Sequence, residues 1–217
     1  MCEPRRVAAA SAHAKQRDVP HLETRRLILR AWRRDDAAAY MRIVADEEVM
    51  RHIGTGWRYR VKRLAAAALA RLSDVEARRA IARMRRHWRT RGFGEWAVED
   101  KATGTLLGQV GFVHHADWRA DRSRVEVGWM LTRSAWGRGF ASEAATAALA
   151  HGFDTLALER IVSITRPENV RSERVMQRIG LAPVGRTRWK GGAVIWYALD
   201  RATWCARRDG TAAQEIA

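Results

Sequence analysis

Leu131-Thr-Arg-Ser-Ala-Trp-Gly-Arg-Gly-Phe-Ala141 is the stretch on which the reading of this chain turns. Before it, Arg124-Val-Glu-Val-Gly-Trp-Met-Leu131 has the β-branched and apolar content of a strand. After it, the Ala-rich run from Gly139 to Phe153 reads as a helix. The stretch therefore joins a strand to a helix through Gly137 and Gly139. A helix N-terminus leaves its first N–H groups unpaired and carries partial positive charge. The two glycines allow a ligand close to the backbone, and Arg138 adds a cation. Such a junction suits an anion, and a pyrophosphate in particular; a plain tight turn uses the same residues. The Gly-Lys-Ser/Thr of a Walker loop is missing, and Ser142 stands where the dinucleotide fingerprint has its third glycine.

Working outward, the flanks alternate strands and helices. Thr24 to Trp32 alternates as a first strand, and Arg34-Asp35-Asp36 offers an N-cap to a helix from Ala37 to Val44. Gly54-Thr55-Gly56 breaks the chain. Val61 to Leu72 reads as one basic, Ala-rich helix. Ser73-Asp74-Val75-Glu76 reads as a capping box opening another, which runs to about Arg89 with Ile81, Met84 and Trp88 on one face. Glu95–Glu99 and Leu106–His114 flank a turn ending in Gly104. Arg160–Thr165 is a strand, Asn169–Ile179 a helix stopped by Gly180, and Pro183–Thr187 with Ala193–Leu199 a last hairpin. The fold class expected is α/β: a mixed, mostly antiparallel central sheet flanked by helices on both faces. Residues 1–20 read as a flexible tail, 21–205 as one domain and 206–217 as a C-terminal tail.

Composition narrows the class. With 47% apolar residues the 217-residue chain is expected to fold around one core. No apolar run approaches the ~18 residues of a membrane span, and residues 1–20 lack the apolar centre of a secretory signal. Cys2 and Cys205 are the only cysteines, so a reducing, cytoplasmic setting is expected. The net charge of +16 rests on 36 arginines and only Lys15, Lys62, Lys101 and Lys190. Residues 1–90 hold 22 basic and 10 acidic residues, against 18 and 14 in 91–217. The excess is either solvated surface, of a kind a GC-rich genome produces, or an attraction for nucleic acid or the ribosome through residues 1–90.

Two motifs in this frame resemble the GNAT superfamily of N-acetyltransferases. Its pyrophosphate motif is Arg or Gln, two residues, Gly, one residue, then Gly or Ala. Trp136-Gly-Arg-Gly-Phe-Ala141 is similar, with Gly139 and Ala141 in the small positions and Trp136 in place of the usual first residue. That departure, Ser142-Glu143-Ala144 after it and Val125–Leu131 before it are similar to the branch containing the ribosomal-protein N-terminal alanine and serine acetyltransferases. Asn169-Val-Arg-Ser172 followed by Gly180-Leu181 resembles that branch's Asn-x-x-Ser and Gly-Phe, with Leu181 replacing the Phe.

The resemblance implies acetyl-coenzyme A as cosubstrate, no metal, and direct attack by an amine on the thioester. It implies that backbone N–H groups from Trp136 through Gly137, Arg138, Gly139, Phe140 and Ala141 to Ser142 hold the pyrophosphate, and that Trp129, Met130 and Leu131 offer oxyanion donors. The pantetheine arm would lie where Val125–Leu131 splays from Arg160–Thr165. It further implies that Asn169 bonds the coenzyme or caps its helix, and that Ser172 lies near the coenzyme sulfur. Many members carry a Tyr seven residues after the motif Asn; Met176 stands there, so that general acid is missing.

The residues themselves suggest the base. Glu126 is acidic within an apolar strand and shares a face with Gly128 and Met130; Gly128 itself could mark a bulge. A half-buried carboxylate accepts a proton near neutrality; an outward Glu126 paired with an arginine is the alternative. Of His114 and His115 at most one faces a cleft. Trp96, Trp129 and Trp196 fall in strand patterns and read as core. The histidines lack metal-ligand spacing. Three functions remain: acetylation of a protein N-terminal α-amine, acetylation of a small amine such as an antibiotic or polyamine, and a non-catalytic domain binding coenzyme or nucleic acid. An open groove beside Glu126 is expected of the first and a closed, acidic or aromatic pocket of the second. Nothing in the sequence sets the oligomeric state.

Overall fold

The computed structural model describes residues 19–53 and 66–215. Cys2, the tail up to residue 18, the Gly54–Gly56 break and the start of the Ala-rich stretch lie outside the described residues. Eight strands form one sheet: β1 (Leu22–Glu23), β2 (Leu27–Arg30), β3 (Glu95–Asp100), β4 (Leu106–His114), β5 (Val125–Leu131), β6 (Arg160–Thr165), β7 (Ala182–Trp189) and β8 (Gly192–Asp200). Their order is β1-β2-β3-β4-β5-β6-β8-β7. Every neighbouring pair is antiparallel except β5 with β6. The helices are α1 (Ala37–Ala45), α2 (Glu47–Met50), α3 (Ala66–Arg91), α4 (Phe140–Ala150), α5 (Val170–Arg178) and α6 (Arg201–Glu215).

The period-2 alternation of the strands sorts side chains between two layers. Trp96, Val98, Val110, Phe112 and Val127 join Phe140, Ala144 and Ala148 of α4 in the main core. Their β3 and β4 neighbours Ala97 and Leu106, with Met130 of β5, join a second core with Tyr40 and Ile43 of α1 and Ala77, Ile81 and Met84 of α3. Each fully buried large apolar side chain adds roughly 1.5–3 kcal/mol, so the two layers set the sheet's register. The β7–β8 connection is a two-residue turn in which Lys190 and Gly191 both have positive φ, 46° and 78°. That is the turn whose twist matches paired strands.

Three expectations need correction. The first strand is interrupted, because Thr24 Oγ1 accepts the Leu27 N–H at 2.9 Å and turns the chain between β1 and β2. Asp36 stands at the N-cap of α1, but its side chain makes no cap hydrogen bond to that helix; it accepts from both guanidinium Nη atoms of buried Arg30, at 2.8 and 2.9 Å, and from the Arg33 N–H at 2.7 Å. The expected break at Ser73-Asp74 is absent, and α3 runs unbroken from Ala66 to Arg91. Mid-helix Ser and Asp cost only a few tenths of a kcal/mol each, less than the burial of Ala77, Ile81, Met84 and Trp88 returns. At the C-terminal end, α6 stacks Trp204 on Phe153 with ring centroids 5.5 Å apart. Among the described residues no helix is long and apolar enough to cross a membrane.

Candidate functional site

The sheet's one parallel junction is also its weakest. Strands β4 and β5 pair at seven positions, from Gly108↔Leu131 to His114↔Val125. Strands β5 and β6 pair at one, Glu126↔Val162, and then part. Two cavities open along the parting, of about 640 and 670 Å³. They share Trp129, Met130, Asn169 and Ser172, so they form one cleft running past the edge of β5. Gly128 is not a bulge: its pairing with Gly111 lies within an unbroken register. A Cβ there would meet nothing within 4 Å, so this glycine leaves the cleft floor open.

One end of the cleft is the strand-to-helix junction. Gly139 is the N-cap of α4 with φ 78°, and Gly137 has φ 73°, both in the left-handed region that favours glycine. Glu143 N–H is bonded to Gly139 O, which leaves the N–H groups of Phe140, Ala141 and Ser142 without helix partners. Trp136, Gly137, Gly139, Phe140, Ala141 and Ser142 all line this cavity. Ser142 Oγ is buried there with no hydrogen-bond partner among the described residues. Trp136 donates Nε1–H to Leu131 O at 2.9 Å, so its ring fixes the loop to the end of β5. Arg138 is not among the lining residues; its guanidinium lies over the Phe140 ring at 4.5 Å.

A clamp from the other end of the sheet steadies this junction. Glu143 accepts from Thr24 Oγ1 at 2.6 Å, from Arg26 N at 2.8 Å and from Arg26 Nε at 2.6 Å. Burial pushes its carboxyl upward, and these hydrogen bonds with the Arg26 charge outweigh that and hold it below the ordinary value. Arg26 also donates to Arg138 O at 2.9 Å. Opposite the junction, Arg171, Arg174 and Arg178 of α5 line the same cavity. Their i, i+3, i+7 spacing puts them on one helix face; sequence reading passed over them, although that spacing was the signal. Unpaired N–H groups, an orphan hydroxyl and three cations fit a pyrophosphate.

The other end collects proton-handling groups. Glu126 Oε2 lies 2.5 Å from His115 Nε2, and its Oε1 accepts the Ile164 N–H of β6 at 3.2 Å. The carboxylate thus sits at the vertex of the parting strands. His115 Nδ1 is 3.4 Å from Lys190 Nζ. Of the two histidines only His115 lines the cleft; burial, then Arg91 and Arg124, lower the pKa of His114. Asn169 caps α5 through Oδ1 to the Ser172 N–H at 3.3 Å, and its Nδ2 donates to Ser172 Oγ at 2.9 Å. An oxygen that accepts from Asn169 keeps its own hydrogen to donate. Met176 is buried beside it. Trp96 and Trp196 are core, whereas Trp129 is half-buried and lines both cavities.

Two lining residues were not anticipated. Glu95, at the start of β3, accepts from Gln109 Nε2 of β4 at 2.6 Å. Burial first, and the Glu126 charge second, push its carboxyl up to about 7, against the hydrogen bond from Gln109. A glutamate and a glutamine on the inward phase of strands otherwise packed with apolar residues were the available signal. Among the described residues, no group of three or more His, Cys, Asp or Glu converges as a metal site.

Residues 26–182 match the family described as acetyltransferase (GNAT) domain. The chain is 31% identical over 166 residues to the uncharacterized N-acetyltransferase YoaA of Bacillus subtilis (strain 168), covering 76% of this chain and 85% of that one. It is 38% identical over 90 residues to the uncharacterized protein YkkB of the same organism; that match spans 42% of this chain and only about half, 51%, of the relative. Among solved structures, RimJ of Mycobacterium smegmatis in complex with CoA-disulfide superposes with a TM-score of 0.65 at 23% identity, over 86% of this chain and 88% of that one. At that identity the likeness is one of fold.

Proposed function

The chain belongs to the GNAT family of acetyl-coenzyme A-dependent acetyltransferases, and on that premise we propose that it acetylates a protein N-terminal α-amine by direct attack in a ternary complex. The observation that carries the reading is the parting of β5 from β6 after a single pairing, with Glu126 at the vertex. A thioester arm fits between the strands and meets a carboxylate where they join.

The geometry supports a role for each group. The first-turn N–H groups of α4, the Ser142 hydroxyl and the arginines of α5 hold the pyrophosphate. The amine nitrogen bonds to the thioester carbonyl carbon, and the backbone from Trp129 to Leu131 receives the developing oxyanion. As the C–S bond breaks, the amine proton passes to Glu126 and its partner His115. The Ser172 hydroxyl donates to the departing thiolate, which takes its proton from solvent. An α-amine has a pKa near ~8, so a weak base suffices. Cys205 lines neither cavity, consistent with transfer that makes no acetyl-enzyme.

A specific feature favours a second acceptor class. Glu95, Glu126, Tyr40 and Trp189 give the acceptor half two carboxylates and two aromatic rings, a lining suited to a small cationic amine. Thiol release from acetyl-coenzyme A, followed with Ala- and Ser-initiated peptides beside aminoglycosides and polyamines, separates the two. Turnover of peptides with intersecting initial-rate lines is expected. Turnover of small amines alone overturns the N-terminal reading, and parallel lines with a trapped acetyl-cysteine overturn direct transfer.

A further inference from the structure

We propose that Glu95 and Gln109 form a subsite for a second positive charge on the acceptor, so that the enzyme prefers amines carrying another cation beyond the one acetylated. The inference rests on the acetyl-transfer reading above and adds the chemistry of the acceptor.

Glu95 pairs with Gly111 across β3 and β4, and Gly111 with Gly128 across β4 and β5. No side chain therefore stands in the row between Glu95 and the parting of the strands. The Glu95 carboxyl faces the same cavity as Glu126, from two strands away. Two strand spacings amount to about 10 Å of backbone, a span bridged by a short aliphatic chain with a charge at each end. Tyr40, Met50 and Met130 supply apolar wall for that chain.

The polar groups at this end lack the partner that a cation brings. Gln109 donates its Nε2–H to Glu95 Oε1, while its own Oε1 is buried with no partner among the described residues. Among the described residues, the charge acting on Glu95 is that of Glu126, which repels its own. The chain has 40 lysines and arginines, yet among the described residues none pairs with this carboxylate. An ammonium carries three donors and no acceptor. Placed here it satisfies Glu95, supplies the donor Gln109 Oε1 lacks, and offsets the cost of a desolvated carboxylate. Glu126 and His115 across the cavity, Tyr40 of α1, His52 after α2, Arg166 after β6 and Lys190 of the β7–β8 turn are the other ionisable groups on these walls.

The test compares acceptors of matched length: 1,5-diaminopentane against n-pentylamine, and Ala-Lys amide against Ala-Leu amide. The first pair reports a free diamine and the second a peptide N-terminus. In the unaltered enzyme kcat/KM is expected to favour the dicationic member of at least one pair by tenfold or more. In Glu95→Gln that preference collapses toward one, chiefly through KM, and Glu95→Asp restores part of it. Gln109→Met, which leaves the carboxylate in place, lowers the preference less. Calorimetric binding of 1,5-diaminopentane and of Ala-Lys amide to the coenzyme A complex gives a readout that needs no turnover. If no acceptor turns over but Glu95→Gln still weakens either ligand tenfold, the subsite stands and the acetyl-transfer reading falls. If monoamines turn over and Glu95→Gln leaves the preference and both affinities unchanged, the subsite is wrong and acetyl transfer stands.

Discussion

His115 Nε2 lies 2.5 Å from Glu126 Oε2, so the imidazole and the carboxylate form one hydrogen-bonded pair. The other Glu126 oxygen accepts the Ile164 amide of the neighbouring strand.

Glu126→Gln isolates the chemistry of that unit, because the amide oxygen still accepts from Ile164 and the strand junction survives. Turnover is expected to fall by about 10²-fold, the low end of general-base contributions. The loss should shrink as pH rises toward the ~8 of an α-amine, and be larger for a lysine-like amine near ~10.4. Rates from pH 6.5 to 9 with both acceptors check this. A loss that stays flat across that range assigns Glu126 to positioning the acceptor.

At the phosphate end, Ser142→Ala is the informative substitution. The Ser142 hydroxyl has no partner among the described residues, so its removal should leave thermal stability equal or slightly higher. Coenzyme A affinity should drop about threefold to tenfold, the ~0.5–1.5 kcal/mol of one hydrogen bond. Gly139→Val should abolish binding, but it also forces a β-branched residue to φ 78° and so strains the helix start by itself. Equal coenzyme affinity in Ser142→Ala and the unaltered protein removes the hydroxyl from the cradle.

Glu95 should cost the fold stability at neutral pH. Its carboxyl is pushed up to about 7 from an ordinary 4.5. Between those values the unfolded chain gives up a proton that the folded chain keeps. Stability tied to this group is therefore full below pH ~4.5 and is lost as pH rises through ~7, by up to ~3 kcal/mol. Glu95→Gln removes that dependence, so its melting temperature should exceed that of the unaltered protein at pH 8 and converge with it at pH 5. Parallel melting curves across this range would place Glu95 in an ordinary ionised environment.

How much of this was legible in the sequence depends on the length scale of each signal. The glycine junction, the strand before it and the Asn169-to-Ser172 turn are local, and Gly137, Gly139 and Asn169 occupy the positions their spacing implied. The continuity of α3 was not legible, because Ser73 and Asp74 are good cap residues and only the packing of α3 on α1 overrides that preference. Choosing His115 over His114 required the β4–β5 register, which pairs Val113 with Glu126 and so puts His115 on their face. Glu95 and Gln109 were missed because each looks like ordinary strand polarity. Only the register that lays Gly111 and Gly128 beside them turns two polar residues into the wall of a cavity.

The single pairing of β5 with β6 also divides the sheet's cohesion. Five strands lie on one side of Glu126↔Val162 and three on the other. Amide protons along the facing edges beyond that point have no strand to shelter them and should exchange with solvent faster than those of the seven-position β4–β5 ladder. A ligand lying in the parting takes up the role of a missing crosspiece. On the proposed placement of the pantetheine arm, coenzyme occupancy is expected to be readable as slowed exchange along one seam, far from its phosphates, with the cosubstrate serving as part of the architecture that surrounds it.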